Sequence, residues 1–354
     1  MIGPRPVTIK DVAREAGVSY STVSRVLNGY PHIHPDKRRR VLEAVDRLGY
    51  SVNLQARSLA GGHSQVIGLI VHDLGNPYTA QVVQSIDEAL ARAEYELVLH
   101  TTHGHHHKEA VYVDILARGM VDGLMMLIPL GPTPYLQQLH ERRFPYVIIC
   151  DHQQYDDFSP TVSTTSRQGA YDVMRYLIAL GHRRIGFITG RPDFISAAER
   201  LEAYKAALAA YGLPLDPALI YTGDYQYRAA YTATNALLDL PQPPTAIFAA
   251  NDLSAFAVYD VARSRGLRVP DDLSVAGFDD VPQSAYMHPA LTTVRQPLLA
   301  MGEAATRLLM DTIADPSRPA ERIVLPTELI IRESCQPPAH SERPFKPSAQ
   351  PKGE

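Results

Sequence analysis

The sequence predicts an N-terminal all-α unit followed by an α/β core of two doubly wound parallel-sheet lobes, and three observations predict it. Residues 7–29 carry two short helical stretches on either side of a single glycine. From Val66 onward the pattern changes to short apolar strands alternating with helices, the rhythm of parallel sheets covered on both faces. That rhythm fills two similar blocks of roughly 100–130 residues, each the size of one lobe.

Residues 7–29 read VTIKDVAREAGVSYSTVSRVLNG. Thr8 is placed to cap the first helix, with Asp11 completing a capping-box-like pair. Val12, Ala13 and Ala16 share its apolar face, and Gly17 supplies the left-handed residue that stops it. Val18 bridges the turn and Ser19 caps the second helix. Val23, Val26 and Leu27 form the buried side of that helix at i, i+3, i+4 spacing, and Asn28-Gly29 ends it. Its other side offers Tyr20, Ser21, Thr22, Arg25 and Asn28, hydrogen-bonding groups with little apolar bulk. Two helices joined this way form a helix-turn-helix, the unit that lays its second helix in the DNA major groove. Side chains of this kind suit base edges and phosphates.

Pro35 opens a third helix, Val41, Leu42, Val45 and Leu48 make its expected apolar stripe, and Gly49 ends it. Lys37, Arg38, Arg39 and Arg40 lie at its N-terminal end. Such a run is ordinarily a solvated face, and here it is equally placed to approach phosphate. Residues 53–60, NLQARSLA, make a short helical stretch that Asn53 can cap before Gly61-Gly62 breaks the chain. A stretch of that length is unstable alone and is expected to form only against DNA or a partner.

In the first block of the core VIGLIV is a buried strand and 78–94 a helix, followed by strand ELVLHT, helix 108–118, strand GLMML, helix 134–141 and strand YVIIC. The second runs helix 168–180, strand IGFIT, helix 197–211, a strand around Leu219–Tyr221, helix 227–239, strand AIFAA, helix 253–265 and strand SVAGF. Residues 291–297 (LTTVRQP) and 321–332 (ERIVLPTELIIR) are expected to cross back between lobes. Ligands in this architecture sit beyond the carboxyl ends of strands, which here means the cleft between lobes. From Gln336 on, Pro, Ser and charge predict a disordered tail. The predicted organisation is a headpiece over 1–52, a hinge over 53–62, a two-lobed core over 63–335 and a tail over 336–354.

Composition agrees. A chain of 354 residues is too long for one ordinary core, and 45% hydrophobic with 20% charged residues is the balance of a soluble globular protein. Residues 1–62 hold ten Lys and Arg against five Asp and Glu, whereas the remainder holds 24 against 33. A basic head on an acidic body fits docking of one end on phosphate. The two cysteines, Cys150 and Cys335, make no disulfide framework or metal spacing. No N-terminal apolar h-region and no run approaching ~18 apolar residues is present, so a cytoplasmic location without membrane contact is expected.

The run from Thr8 to Asn28, with helix, glycine stop, serine cap and VSYSTVSRVLN in strict register, closely resembles the DNA-binding headpiece of the lactose-repressor (LacI/GalR) family. The resemblance covers about residues 7–335. It implies a sequence-specific transcriptional regulator, most simply a repressor of carbohydrate uptake or catabolic genes. Its partners would be palindromic double-stranded operator DNA, a sugar-like effector between lobes built like those of periplasmic sugar-binding proteins, and a second copy of itself. It implies DNA contacts from Thr8, Ser19, Tyr20, Ser21, Thr22, Ser24, Arg25 and Asn28. Residues 53–60 match the family's hinge helix, bringing Asn53, Ala56, Arg57 and Leu59 to the DNA, with Leu59 at the position that wedges into the minor groove. Relatives that tetramerise end in a leucine heptad; this chain has none, so a dimer is expected.

Resemblance and strand-end geometry together nominate the effector residues. His72 and Asp73 follow the first strand, Tyr78 opens the next helix, and Asp151 follows YVIIC. Phe194 and Arg200 flank the first βα turn of lobe two, Tyr225 lies in GDY, Asn251 in AAND and Asp279 in GFDD. Carboxylates, an arginine, an amide and aromatic faces are the groups that hold sugar hydroxyls and rings. Where relatives commonly carry Asp-Asn before the following helix, this chain has Thr164, Thr165 and Ser166.

For catalysis the chain offers no GxSxG, no Walker-type loop and no HExxH, so neither an enzyme nor a cofactor is expected. The cluster His103, His105, His106 and His107 follows the second strand and reads as a solvated loop, with a metal site or a pH-sensitive lobe contact as alternatives. Two rival readings remain, a sugar-binding module without a DNA role and an α/β enzyme.

Overall fold

The computed structural model describes residues 7–27, 30–50, 63–129, 134–149 and 158–339. The chain divides into two compact units, Met1–Ser64 and Gln65–Glu354. Asn28, Asn53, Ala56, Arg57, Leu59 and Asp151, the whole hinge segment and most of the tail lie outside the described residues.

In the first unit α1 spans Ile9–Ala16, α2 Tyr20–Leu27 and α3 Pro35–Leu48. The start of α1 is held as its sequence requires: the Thr8 amide and hydroxyl both donate to Asp11 Oδ2, at 2.9 and 2.6 Å. Gly17 ends it at φ +61°, and Arg40 donates to the carbonyls of Ala16 and Gly17. Ser19 Oγ accepts from the Thr22 amide at 3.2 Å to start α2. Val12, Ala13, Ala16, Val23, Val26, Val41 and Ala44 form the core. Leu42 corrects the expected stripe. It is 47% exposed, because one residue beyond buried Val41 a helix has turned by about 100°. Ala44, with half-buried Val45 and Leu48, takes its place.

Lobe one of the core contains β1 (Val66–Val71), α4 (Pro77–Arg92), β2 (Glu96–Thr101), α5 (His106–Ala117), β3 (Gly123–Leu127), α6 (Tyr135–Glu141), β4 (Tyr146–Ile149) and β5 (Thr161–Thr164). Lobe two contains α7 (Ser166–Ala179), β6 (Ile185–Thr189), α8 (Ile195–Ala210), β7 (Ile220–Thr222), α9 (Tyr227–Leu238), β8 (Ala246–Ala249), α10 (Asp252–Ser264), β9 (Ser274–Ala276), α11 (Pro282–Tyr286) and β10 (Thr293–Arg295). The chain then returns to lobe one through α12 (Leu298–Ala314) and β11 (Arg322–Leu325), and ends on lobe two with β12 (Glu328–Ile330).

Lobe one has the sheet order β11-β5-β4-β3-β1-β2 and lobe two β7-β6-β8-β9, every pairing within them parallel. Strand alternation builds a core on each face. Ile67, Leu69 and Val71 of β1 pack with Met125, Leu127 and α12 on one side, and Val66 and Ile70 pack with Leu124, Met126 and Leu116 on the other. In lobe two Phe187 and Phe248 face α7 and α8, while Ile188, Ile247 and Ala249 face α9 and α10. Parallel strands buried on both faces explain the unbroken apolar runs that made them legible.

β5 was not anticipated. Its residues TVST are all buried, yet hydroxyl-bearing side chains give no apolar signal. SVAGF is strand only over Ser274–Ala276. Most core helices begin one or two residues before their expected starts. Ahead of the two anticipated crossovers the chain makes a first one at Thr165, between β5 and α7. β10 and β12 pair antiparallel beside lobe two. The C-terminal boundary also shifts. Gln336 donates its amide to Ser274 Oγ at 3.1 Å, and its carbonyl accepts from His182 Nε2 at 3.0 Å, so it belongs to the body of lobe two.

Candidate functional site

The first candidate surface is the solvent side of α2. Burial of Val23 and Val26 turns Tyr20, Ser21 and Arg25 outward, with Thr22 and Ser24 half-buried beside them. Tyr20 is 44% exposed. Ser19 Oγ also meets the hydroxyls of Ser21 and Thr22, each at 2.9 Å, so the first turn presents a hydroxyl cluster. Thr8 sits half-buried at the start of α1. The basic run of α3 is partly spent inside the unit. Arg38 reaches the Tyr30 carbonyl, Arg40 closes the end of α1, and Arg39 faces Asp36 and Glu43 at 3.5 Å.

The second is the cleft of the core. Seven of the nominated residues, His72, Tyr78, Phe194, Arg200, Tyr225, Asn251 and Asp279, line one cavity of about 40 Å³. That is space for a few waters, so a larger ligand enters only if the lobes or side chains move apart. All seven lie just past carboxyl ends of strands or in the helical turns that follow.

Arg200 projects from α8 and is 4% exposed. Its Nε donates to Ser166 Oγ at 3.1 Å and Nη1 to the Ala250 carbonyl, while the guanidinium lies 3.6 Å from the Phe278 ring centroid. Tyr225 donates to Ser196 Oγ at 2.9 Å. Gly190 makes room for its ring, since a Cβ there would fall 2.0 Å from Tyr225 Cζ. Asn251 caps α10 through the Ser254 amide and donates to the Tyr225 carbonyl at 3.3 Å. Asp279 takes φ +119° and accepts from Gln296 Nε2 at 2.8 Å. Phe194 sets its ring edge-on to His72 at 5.3 Å and stacks on Tyr225 at 6.1 Å. A cation, a carboxylate and the amides of Asn76, Asn251 and Gln296 between aromatic faces can hold a small ligand rich in hydroxyl groups.

Asp73 does not join that cavity. It lines a neighbouring one with Arg191, Asp193, Asp224 and His103, and His72 borders both. The Asp73 carboxylate faces His72 Nε2 at 2.7 Å, and this hydrogen bond holds its pKa below the usual range, helped by nearby backbone amides against the burial that opposes them. Arg191 grips Asp193 through two bonds of 2.9 and 2.6 Å and lies 4.9 Å over the Phe194 ring. Sequence reasoning did not nominate Asn76, Ile128 or Gln296. Asn76-Pro77 was legible as a cap followed by proline at N1. Gln296 carried no local signal, because its place depends on the crossover.

Behind the cavity Asp252 accepts from the Val281 amide at 2.9 Å and the hydroxyls of Ser284 and Thr293 at 2.6 and 2.5 Å. Burial pushes its pKa up to about 7 against those donors. Its role is to tie α10, α11 and β10 together. In the histidine cluster His103 sits at φ +50° and meets Thr101 Oγ1 at 3.0 Å, and the His105 and His107 rings are 5.6 Å apart. Among the described residues no group of three or more His, Cys, Asp or Glu is placed to hold a metal, and no helix is long and apolar enough to cross a membrane.

Known proteins carry the same two parts. Residues 8–53 match the bacterial regulatory proteins of the lacI family, and residues 174–335 the periplasmic binding protein-like domain. Catabolite control protein A of Priestia megaterium is 34% identical over 331 residues, 93% of this chain and 99% of the relative. The HTH-type transcriptional repressor PurR of Photobacterium profundum is 34% identical over 329 residues, 93% of this chain and 98% of its own. Among solved structures, the transcriptional regulator CelR in complex with cellobiose aligns with TM-score 0.70 at 34% identity, over 93% of this chain and all of that one (100%). The Lac repressor dimer bound to operator and the anti-inducer ONPF aligns with TM-score 0.79 at 28% identity, covering 94% of this chain and 100% of the other. The chain belongs to the lacI family of bacterial regulatory proteins.

Proposed function

We propose that this protein is a sequence-specific DNA-binding repressor, active as a homodimer in the cytoplasm, that answers to a sugar or sugar derivative bound between the lobes of its core. It regulates carbohydrate uptake or catabolic genes and performs no catalysis. The observation that carries the reading is the outward face of α2, where Tyr20, Ser21 and Arg25 stand exposed over a buried Val23–Val26 side. A short helix so presented enters the major groove, with Thr8, Ser19, Thr22 and Ser24 toward backbone and base edges. Asn28 at the helix end, and Asn53, Ala56, Arg57 and Leu59 from the hinge, complete the contacts, Leu59 as a minor-groove wedge.

His72, Tyr78, Phe194, Arg200, Tyr225, Asn251 and Asp279 hold the effector, with Asp73 supporting His72 and Asp151 following β4 in the chain. The cellobiose-bound CelR, 34% identical to this chain, supports a small-molecule effector, and the transcriptional repressor PurR, also 34% identical, supports repression. The ligand biases the arrangement of the lobes and thereby operator affinity. The test has two arms. Operator sites selected from random DNA should be bound with a steep salt dependence, and a thermal-shift screen of a sugar library should find a ligand that changes that affinity. A chain that selects no sequence, or whose operator affinity no sugar alters, overturns the corresponding half.

A further inference from the structure

Among the described residues, the cavity wall contains a fully buried polar side-chain atom without a hydrogen-bond partner. His72 is 7% exposed and borders the cavity. Its Nε2 faces Asp73 Oδ2 at 2.7 Å. Its Nδ1 is buried and has no hydrogen-bond partner among the described residues. Other polar groups of the same wall are engaged: Asn76 Oδ1 accepts from the Tyr78 amide, Asn251 caps α10, and Gln296 donates to Asp279.

The ring is also held in place. Asp73 is anchored by the Asn76 amide, which donates to its Oδ1 at 3.1 Å. Phe194 meets the imidazole at 75°. A flip would break the Asp73 bond. An ionised carboxylate only accepts, so Nε2 carries a hydrogen. Nδ1 is then either a bare lone pair or the second N–H of a cation. A buried cationic N–H without an acceptor costs more than a buried lone pair without a donor, which selects the neutral ring.

We propose that His72 sets the specificity of the cavity as a locked Nε2–H tautomer whose Nδ1 accepts a hydrogen bond from a ligand hydroxyl. The inference rests on the sugar-type effector proposed above and names one atom of its recognition. A ligand with a hydroxyl at that point matches Nδ1. A deoxy or keto analogue leaves Nδ1 buried and unmatched, and the site rejects it.

The test has a ligand-free and a ligand-bound arm. Long-range proton–nitrogen correlation spectra of the full chain, labelled at histidine and recorded at pH 8, are expected to show the Nε2–H tautomer for His72, identified by its loss in His72→Asn. An Nδ1–H tautomer or an imidazolium at that pH overturns the proposal. Calorimetry then follows with D-ribose, cellobiose and whichever other neutral mono- or disaccharides raise the melting temperature. His72→Asn, whose amide stands near the position of Nδ1, should bind within about threefold of the parent. His72→Gln, which reaches toward Nε2, and His72→Phe should lose tenfold or more. Equal loss in all three variants reduces the ring to packing and overturns the assignment. Failure of every saccharide to bind the parent chain overturns the effector class and its hydroxyl, while the tautomer spectrum reports on the Asp73 lock by itself.

Discussion

The hydroxyl of Thr164 donates to the side-chain carbonyl of Gln296 across 2.8 Å, joining the first crossover to the second. Gln296 passes the connection on, donating to Asp279 at 2.8 Å inside the cavity. Thr165 binds the third crossover, meeting Thr327 Oγ1 at 2.9 Å and accepting from the Thr327 amide at 2.8 Å. The Thr164-Thr165-Ser166 run thus latches the three connections to one another, and Ser166 holds Arg200.

Thr164→Val should therefore act at two places. It leaves the side-chain carbonyl of Gln296, a residue 5% exposed, without its donor, at a cost of about 1–3 kcal/mol. Urea unfolding should show that loss, and ligand titration should show weaker binding because Gln296 no longer holds Asp279. Unchanged stability would mean that the Thr164 bond is replaced without cost.

Gly17→Ala should destabilise the first unit by about 1–2 kcal/mol. Gly17 sits at φ +61°, and an added Cβ would come within 2.5 Å of Arg40 Nη2. Hydrogen exchange on the full chain should show faster exchange across α1 and α2 with the core unaffected. Equal protection in variant and parent would contradict the assignment.

Acid should weaken lobe two through His182. The ring is buried between Thr245, Ser274 and Gln336 at 2.8–3.1 Å, and desolvation lowers its pKa from 6.5 to about 4. The unfolded chain then binds a proton that the folded chain refuses. Stability is complete above pH 6.5 and falls by about 3 kcal/mol as pH drops through 6.5 toward 4. Asp252, raised to about 7, works in the opposite sense across that whole range. The check is thus the difference between the parent and His182→Asn, in which the Asp252 contribution cancels. A difference independent of pH would remove His182 from the acid response.

Arg25→Ala should weaken specific operator binding by about 1–3 kcal/mol if the guanidinium reads a base edge. A uniform loss across specific and nonspecific DNA, with a shallower salt slope, would make it a phosphate contact. An unaltered affinity at fixed salt removes it from the interface.

A chain ending after Ala339 should remain a dimer by sedimentation, whereas one ending at Ser334 should lose stability. The second cut removes the Gln336 carbonyl and amide that bind His182 and Ser274 at 3.0 and 3.1 Å. Monomers from the longer chain would move the dimer contact into the tail.

What the sequence disclosed depended on where the physics was local. VIGLIV and GLMML were legible because both faces of these strands are buried. Gly17, Ser19 and the Thr8–Asp11 pair were legible because caps and stops act within a few residues. TVST was not, since nothing in four hydroxyl and β-branched residues says that they lie between two other strands. Asp73 looked equivalent to its neighbour His72, yet its carboxylate turns to the imidazole and leaves the cavity to the ring. Gln296 enters the site only through tertiary placement.

The position of β11 has a consequence for biosynthesis. This strand pairs with β5 at the edge of the lobe-one sheet, in register Arg322 with Thr161, although the whole of lobe two separates the two in sequence. A ribosome must therefore make lobe two before lobe one can be closed. Until then the nascent lobe presents β5 as an open edge, the kind of surface on which chains aggregate. The hydroxyl-rich TVST is a milder edge than an aliphatic strand would be, and the polarity that hid it from prediction protects the half-made protein.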